Sequence, residues 1–178
     1  MKRLVLMILA CGLLATSSAR AGYWELHIYS DAVLTDSTIS DNSPRIVNFY
    51  VVEKGYFRGA TGVRFSTEPT AGFTGVWLGD ETSYYKVGNS PTDIAVAYAA
   101  CIPPPILVIT MTYQLYGTST PCSELLIAPP ACCTGVVAPD VDCSFTEGQI
   151  TDLRSLRINC AVPVEPTTWG KVKALYRD

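Results

Sequence analysis

Residues 24–29, with the sequence WELHIY, alternate apolar side chains with more polar ones. Trp24, Leu26 and Ile28 fall on one side of an extended chain, and this period of two predicts a β-strand with one buried face. Turn residues separate it from further β-branched and aromatic segments, at 46–52, 61–67, 75–78, 94–100, 106–116, 125–128, 134–137 and 156–160. Because no amphipathic helical segments lie between them, the sequence predicts an all-β fold, an antiparallel β-sandwich of about 8–9 strands.

Two of these segments are the most densely apolar, 94–100 and 106–116, and the three prolines at 103–105 lie between them. We expect two central strands joined by a stiff crossing. The second segment is long enough for a buried helix, but its Val, Ile, Thr and Tyr content favours a strand. The polar residues 31–44 indicate a loop, and 147–153 indicate at most one helical turn.

The N-terminus has the three parts of a cleavable bacterial signal peptide: basic residues 2–3, an apolar run over 4–15 and small residues at 19–21. The run has about 12 residues, against roughly 20 for a spanning helix, and no later run is longer without interruption, so we expect no transmembrane anchor. Lipidation at Cys11 is the alternative. We expect an exported protein, extracellular, on the cell surface or periplasmic, whose mature chain begins at Gly22.

The C-terminal residues differ in character from the rest of the chain. Residues 162–166, VPVEP, are typical of an extended linker. Thr168 can cap a short C-terminal helix over 169–177, and two interpretations of it stay open: a helix packed on the domain, and a sorting or attachment signal. The expected organisation is a signal peptide at 1–21, a β-sandwich at 22–161, and a linker with a helical tail at 162–178.

Charge excludes one class of partner. Cleavage after residue 21 removes three of the 13 Lys and Arg residues, which leaves ten against 16 Asp and Glu residues and a formal net charge of −6. Nucleic acids are bound mainly through clustered Lys and Arg that neutralise phosphates, and no basic stripe remains. We therefore expect no nucleic acid partner. The 157 mature residues suffice for one domain with its own core.

Six cysteines follow the signal: Cys101, Cys122, Cys132, Cys133, Cys143 and Cys160. Their even number in an exported chain predicts disulfide bonds, with the pairing left open. A metal site is the alternative, but there is no CxxC motif, and the only histidine, His27, lies more than seventy residues from these cysteines. We expect the adjacent Cys132 and Cys133 to bond to different partners, and we choose Cys143 with Cys160 as one bridge.

Several segments of the sequence, taken together, are similar to segments of other proteins. These are the opening strand YWELHIYSD at 23–31, GATGVRF at 59–65, the paired cysteine segments, and the ending TTWGKVKALYR at 167–177. In this order they resemble a group of uncharacterised secreted bacterial proteins whose sandwiches are similar to the cohesin and immunoglobulin folds. The resemblance implies a cohesin-like or immunoglobulin-like sandwich. Cohesins bind a partner module through one sheet face, but the resemblance brings no activity with it.

Catalytic chemistry has few candidates in this sequence. A nucleophilic serine or cysteine usually needs a histidine base; only His27 is present, within a strand pattern, and no G-x-S-x-G motif occurs. Two carboxylate pairs, Asp80 with Glu81 and Asp140 with Asp142, fall in turn-like segments where solvated carboxylates are common. We therefore expect a protein that is not an enzyme and has no cofactor.

Two weaker candidate sites concern binding. Asp31, Asp36 and Asp41 share one polar loop and offer carboxylate oxygens to calcium, although their spacing is not that of an EF-hand. The aromatic side chains in the first half of the chain include three candidate ligand contacts, Tyr56, Tyr84 and Tyr85. Since Tyr84 and Tyr85 are adjacent, on a strand they point to opposite faces.

The sequence as a whole favours a secreted or cell-surface β-sandwich that works by binding or by structural assembly, with an unknown protein or glycan partner. A carbohydrate-binding module, or less readily a carbohydrate-cleaving one, is the first alternative. A subunit of a surface assembly, recruited through its C-terminal segment, is the second.

Overall fold

The computed structural model describes residues 24–55, 59–130 and 139–160, and these residues form an all-β sandwich of two sheets. The all-β sandwich that the sequence predicts is confirmed. The described residues contain thirteen strands: β1 (Trp24–Tyr29), β2 (Thr38–Ile39), β3 (Pro44–Gly55), β4 (Ala60–Pro69), β5 (Val76–Glu81), β6 (Tyr85–Asn89), β7 (Asp93–Ile102), β8 (Ile106–Tyr116), β9 (Ser123–Ala128), β10 (Pro139–Asp142), β11 (Glu147–Gln149), β12 (Asp152–Arg154) and β13 (Leu156–Ile158).

The first sheet has the order β12-β1-β3-β8-β5. The second has the order β11-β10-β4-β9-β13-β2, and β7 pairs with both β4 and β6. Two pairs are parallel, β1 with β12 and β2 with β13, so the sheets are mixed rather than wholly antiparallel. Both parallel pairs involve a strand of two or three residues, which is too short to show a periodicity in the sequence.

The two dense apolar segments form β7 and β8, and the prolines at 103–105 carry the chain from the second sheet to the first. β8 is central, between β3 and β5, whereas β7 lies between β4 and β6. Side chains of β8 that point between the sheets, among them Met111 and Tyr113, pack with Phe49 and Phe65 in the core. The helical turn expected at 147–153 is wrong, because these residues form β11 and β12, which pair with β10 and β1.

β1 departs from the sequence prediction on its second face. Leu26 and Ile28 lie in the core as expected, but Glu25 and His27 on the opposite face are only 9% and 7% exposed. Tyr29 is buried with them. The expectation of one buried face is therefore wrong: β1 has β3 on one edge and β12 on the other, and the polar side chains of its outer face bond to one another.

Two disulfides link segments that are far apart in sequence. Cys101 at the end of β7 bonds to Cys143 just after β10, and Cys122 just before β9 bonds to Cys160 just after β13. The chosen bridge between Cys143 and Cys160 is wrong, because those residues lie at different places in the second sheet.

Several sequence predictions fall outside the described residues. They are the signal peptide, Tyr56, Cys132, Cys133, the strand at 134–137 and the C-terminal helix. In the described part of the chain, no helix is long and apolar enough to cross a membrane.

Disulfide mapping tests this architecture. We expect peptide mass spectrometry without reductant to recover Cys101 linked to Cys143 and Cys122 linked to Cys160. Replacing Cys122 and Cys160 together by Ser removes a bridge that closes a 38-residue separation, and should lower the free energy of unfolding by about 3–4 kcal/mol. Recovery of a peptide that joins Cys143 to Cys160 would contradict the structure.

Candidate functional site

The outer face of the first sheet carries exposed apolar side chains on three adjacent strands. Residues of β3, β8 and β5 lie in rows across it, for example Ile46 opposite Gln114, which in turn lies opposite Val76. Ile46 is 64% exposed. We call the following exposed residues the apolar face: Ile46, Val76, Leu78, Leu107 and Tyr116.

The polar side chains between these residues are largely uncharged and bond within the sheet. Thr112 donates a hydrogen bond from its hydroxyl to the Asn48 side-chain oxygen at 3.1 Å. The Gln114 amide donates to the backbone carbonyl of Leu115 at 2.7 Å. A partner that covers this face would therefore leave few polar groups without a hydrogen bond, which lowers the desolvation cost of binding.

A groove of about 520 Å³ lies on the outer face of the second sheet. Its floor consists of small residues of β4 and β7, including Gly62 and Ala97. A side chain at position 62 would meet the Val96 carbonyl oxygen at 2.7 Å, so the floor has to be small. Tyr85 and Val87 of β6 form one wall and are 76% and 77% exposed. We call this the Tyr85 groove.

Tyr84 and Tyr85 have different surroundings, although both were predicted as ligand contacts. The Tyr84 ring packs edge-on against the buried Tyr98 ring, with centroids 4.8 Å apart, while Tyr85 projects into solvent at the groove. The Arg64 guanidinium, which also lines the groove, donates from Nε to Asp93 at 2.8 Å, and this bond lowers the pKa of Asp93. Of the two predicted tyrosine contacts that lie in the described residues, Tyr85 is therefore the one that a ligand could reach.

The three aspartates considered for calcium serve different local hydrogen bonds. Asp31 accepts bonds from the backbone nitrogens of Thr35 and Asp36, and Asp36 itself accepts from Thr38. Asp41 is buried away from them and accepts from the backbone nitrogens of residues 117 and 119. The structure thus does not bring the three carboxylates together into one site.

Three of the four carboxylates considered for catalysis take part in structural interactions. Asp80 accepts hydrogen bonds from the Trp77 indole and from Ser90, which fixes it as a structural group. Asp142 accepts from the backbone nitrogens of the turn that follows it, at residues 144 and 146. Asp140 is fully buried and interacts electrostatically with another carboxyl group, that of Glu53.

Glu53 and Asp140 form a buried carboxyl pair between the two sheets. The Tyr98 hydroxyl donates to Glu53 Oε2, but Glu53 Oε1 and both carboxyl oxygens of Asp140 are buried without a hydrogen-bond partner. Burial and the neighbouring Asp140 raise the pKa of Glu53 to about 8, and burial raises the pKa of Asp140 to about 7. This pair is too enclosed to reach a substrate. It could not be identified from the sequence, because Glu53 and Asp140 are far apart along the chain and form no local pattern.

His27 belongs to a chain of hydrogen bonds on the outer face of β1. The Lys54 ammonium donates to the Tyr29 hydroxyl oxygen. The Tyr29 hydroxyl in turn donates its proton to His27 Nδ1, and the two heavy atoms are 3.1 Å apart. His27 Nε2 then donates to Glu25 at 2.7 Å. Burial, followed by the positive charge of Lys54, lowers the pKa of His27 below its ordinary value. No serine or cysteine nucleophile is part of this chain of bonds.

The buried carboxyl pair predicts a pH dependence of stability. Both groups hold their proton more tightly when folded than their ordinary values of 4.5 and 3.8 imply, so the stabilisation is complete below about pH 4 and is lost as the pH rises through about 7–8. The wild type loses this stabilisation as the pH rises, and Glu53→Gln does not. The unfolding free energy of the variant minus that of the wild type should therefore increase by about 2–4 kcal/mol from pH 5 to pH 8.

Urea unfolding at several pH values measures this difference, and His27 cancels because both proteins contain it. The exposed Glu147→Gln is the matched control and should follow the wild type. A pH profile of Glu53→Gln parallel to the wild type would show that the pair is not protonated as described.

Comparison with known proteins concerns the fold. No protein-family model matches the sequence, and no curated protein sequence matches it. The structure is similar to the sixth cohesin of scaffoldin B from Acetivibrio cellulolyticus, solved in complex with a dockerin: TM-score 0.52, 11% identity, covering 79% of this chain and 99% of that one. It is also similar to a type I cohesin–dockerin complex of OlpA from Clostridium thermocellum: TM-score 0.52, 12% identity, 76% and 99% covered. The fold is therefore a cohesin-like β-sandwich.

Proposed function

We propose that this chain is an exported, non-enzymatic protein-binding module, and that a protein partner docks on the apolar face. The observation that carries the proposal is the exposure of large apolar side chains on three neighbouring strands of one sheet. Single exposed apolar residues are common, but a group of them on one flat surface is typical of an interaction site.

The composition of the face supports a protein as the partner. The centres of protein interfaces are depleted in charge and combine apolar with uncharged polar groups. In the row that joins Asn48, Thr112 and Gly79, as in the row of Ile46, no side chain is charged. Glu81 is the first charged residue of β5 on this face, because Asp80 lies opposite the inward-pointing Met111. An interface centred on β3 and β8 would bury this uncharged region.

The similarity of fold supports the same interpretation by analogy. Both cohesins named above were solved in complex with dockerins, which are protein partners. At 11–12% identity the analogy extends to a sandwich that binds another protein, and it identifies neither the partner nor the residues that contact it.

Location is the second part of the proposal. Disulfides form and persist in oxidising compartments, and the described residues contain two of them. Together with the signal-peptide pattern at residues 1–21, they support export to the periplasm, the cell surface or the medium.

Site-specific photo-crosslinking tests the docking face. A photoreactive amino acid at position 107, in the native host, should crosslink to one discrete protein, whereas the same group at Val33, an apolar residue that is also exposed, should not. Leu107→Asp should then weaken binding of that protein by at least about tenfold, because it places a charge within the apolar contact. Equal crosslinking from both positions, or unchanged binding by Leu107→Asp, would contradict the proposal.

A carbohydrate ligand in the Tyr85 groove is the second candidate. An exposed aromatic ring beside a concave apolar surface is a feature that stacks well on a sugar ring. The observation that supports this candidate is the exposed ring of Tyr85, which is not part of the apolar face.

A glycan-binding assay distinguishes the two candidates. If the groove holds a sugar, the purified protein should bind members of a broad glycan panel, and Tyr85→Ala should abolish that binding while Leu107→Asp leaves it unchanged. Tyr116→Ala serves as a matched control, since it removes an exposed tyrosine elsewhere. Failure to bind any glycan, or binding that survives Tyr85→Ala, would contradict the carbohydrate candidate.

A further inference from the structure

Three side chains capable of binding a metal meet where β1 pairs with β12. Glu25 and His27 are alternate residues of β1, so their side chains lie on the same face of the sheet. Asp152 of β12 lies directly opposite Glu25 in the parallel pair. One ligand atom from each residue, a carboxylate oxygen or an imidazole nitrogen, lies within 4.8 Å of the other two.

The spacing of these atoms fits a small metal ion. His27 Nε2 and Glu25 Oε2 are 2.7 Å apart, with the Nε2 proton between them. In a tetrahedral site with metal–ligand bonds of about 2.0–2.1 Å, ligand atoms are about 3.3 Å apart. Placing a metal ion at Nε2, with the ring proton moved to Nδ1, therefore requires side-chain movements of less than about 1–2 Å, with the strands unchanged.

The imidazole is already held in the orientation that a ligand needs. Tyr29, the next residue on this face, contacts Nδ1 at 3.1 Å, so Nε2 is the nitrogen directed at the carboxylates. When Nε2 binds a metal ion, the ring proton lies on Nδ1, so this bond reverses and Nδ1 donates to the Tyr29 hydroxyl oxygen, as the second nitrogen of a metal-bound histidine usually donates to a fixed acceptor. Glu25 and His27 are both more than nine-tenths buried, which pre-orders two of the three ligands.

Two cations lie close to the cluster. Lys54 bonds to the Tyr29 hydroxyl and lies over its ring, 4.9 Å from the centroid. Arg154 bonds to Asp152 at 3.2 Å, and its side chain is 61% exposed. An exposed pair of this kind contributes little to stability, so Asp152 can exchange it for a metal ion at small cost.

From this geometry we propose that Glu25, His27 and Asp152 form a zinc site that fastens the edge strand β12 to β1. One imidazole nitrogen with two carboxylate oxygens suits a first-row divalent ion, whereas calcium and magnesium prefer oxygen ligands alone. Three protein ligands leave the fourth tetrahedral position to water or to a group from a partner. The site is independent of the apolar face and of the Tyr85 groove.

Isothermal titration calorimetry of the metal-free purified protein with zinc chloride tests the proposal. We expect one equivalent to bind, the thermal unfolding midpoint to rise, and cobalt to give the visible absorption of a tetrahedral ion. His27→Ala should weaken zinc binding by at least about 100-fold, and Asp152→Asn by at least about tenfold. The exposed Glu147→Gln is the carboxylate control and should bind as the wild type does.

Each other result counts against the site. Absence of zinc binding by the wild type overturns the proposal, and so does binding that survives His27→Ala, which would place the ion elsewhere, for example at cysteine thiols. If His27→Ala does not fold, as circular dichroism would show, Asp152→Asn decides the question, because Asp152 is only partly buried. Wild-type affinity in a folded Asp152→Asn variant excludes the three-residue site.

Discussion

The antiparallel pairing of β3 with β8 is the constraint on which the other features depend. It aligns ten residue pairs, from Pro44 opposite Tyr116 to Glu53 opposite Ile106. Inward residues such as Phe49 and Met111 thereby enter the core, and the residues between them form the outer face. β1 attaches to the free edge of β3 and β5 to that of β8, so the position of every strand in the first sheet follows from this one register.

The long strands of this fold could be predicted from the sequence, since each has enough residues to show a period of two or a continuous apolar run. The segment 106–116 is an example. Of the short strands, β13 falls within the predicted segment 156–160, but β2, β11 and β12 have only two or three residues each and could not be predicted. β2 and β12 are moreover defined by partner strands far along the chain. The parallel pairs and the disulfide pairing depend on the same distant contacts, and spacing in the sequence does not encode them.

The candidate sites show the same division. Tyr85 could be identified from the sequence because an aromatic next to another aromatic on a strand has to face the other way. The apolar face could not, because Leu107 and Ile109 are equally apolar and only the packing of two sheets decides which is covered. The cluster at β1 and the pair Glu53 with Asp140 each join residues separated by roughly ninety positions or more, so neither leaves a local pattern.

The two disulfides have a mechanical consequence. Segments 101–122 and 143–160, joined at both ends, form one closed covalent ring. The ring contains β8 and β12 of the first sheet and β11 and β13 of the second. A sandwich unfolds when its two sheets separate, and here the sheets can separate only as far as the ring allows. A force applied at Cys160 is transmitted along both segments of the ring. Pulling at Cys160 therefore cannot extend the segment 143–160 beyond the reach of the segment 101–122.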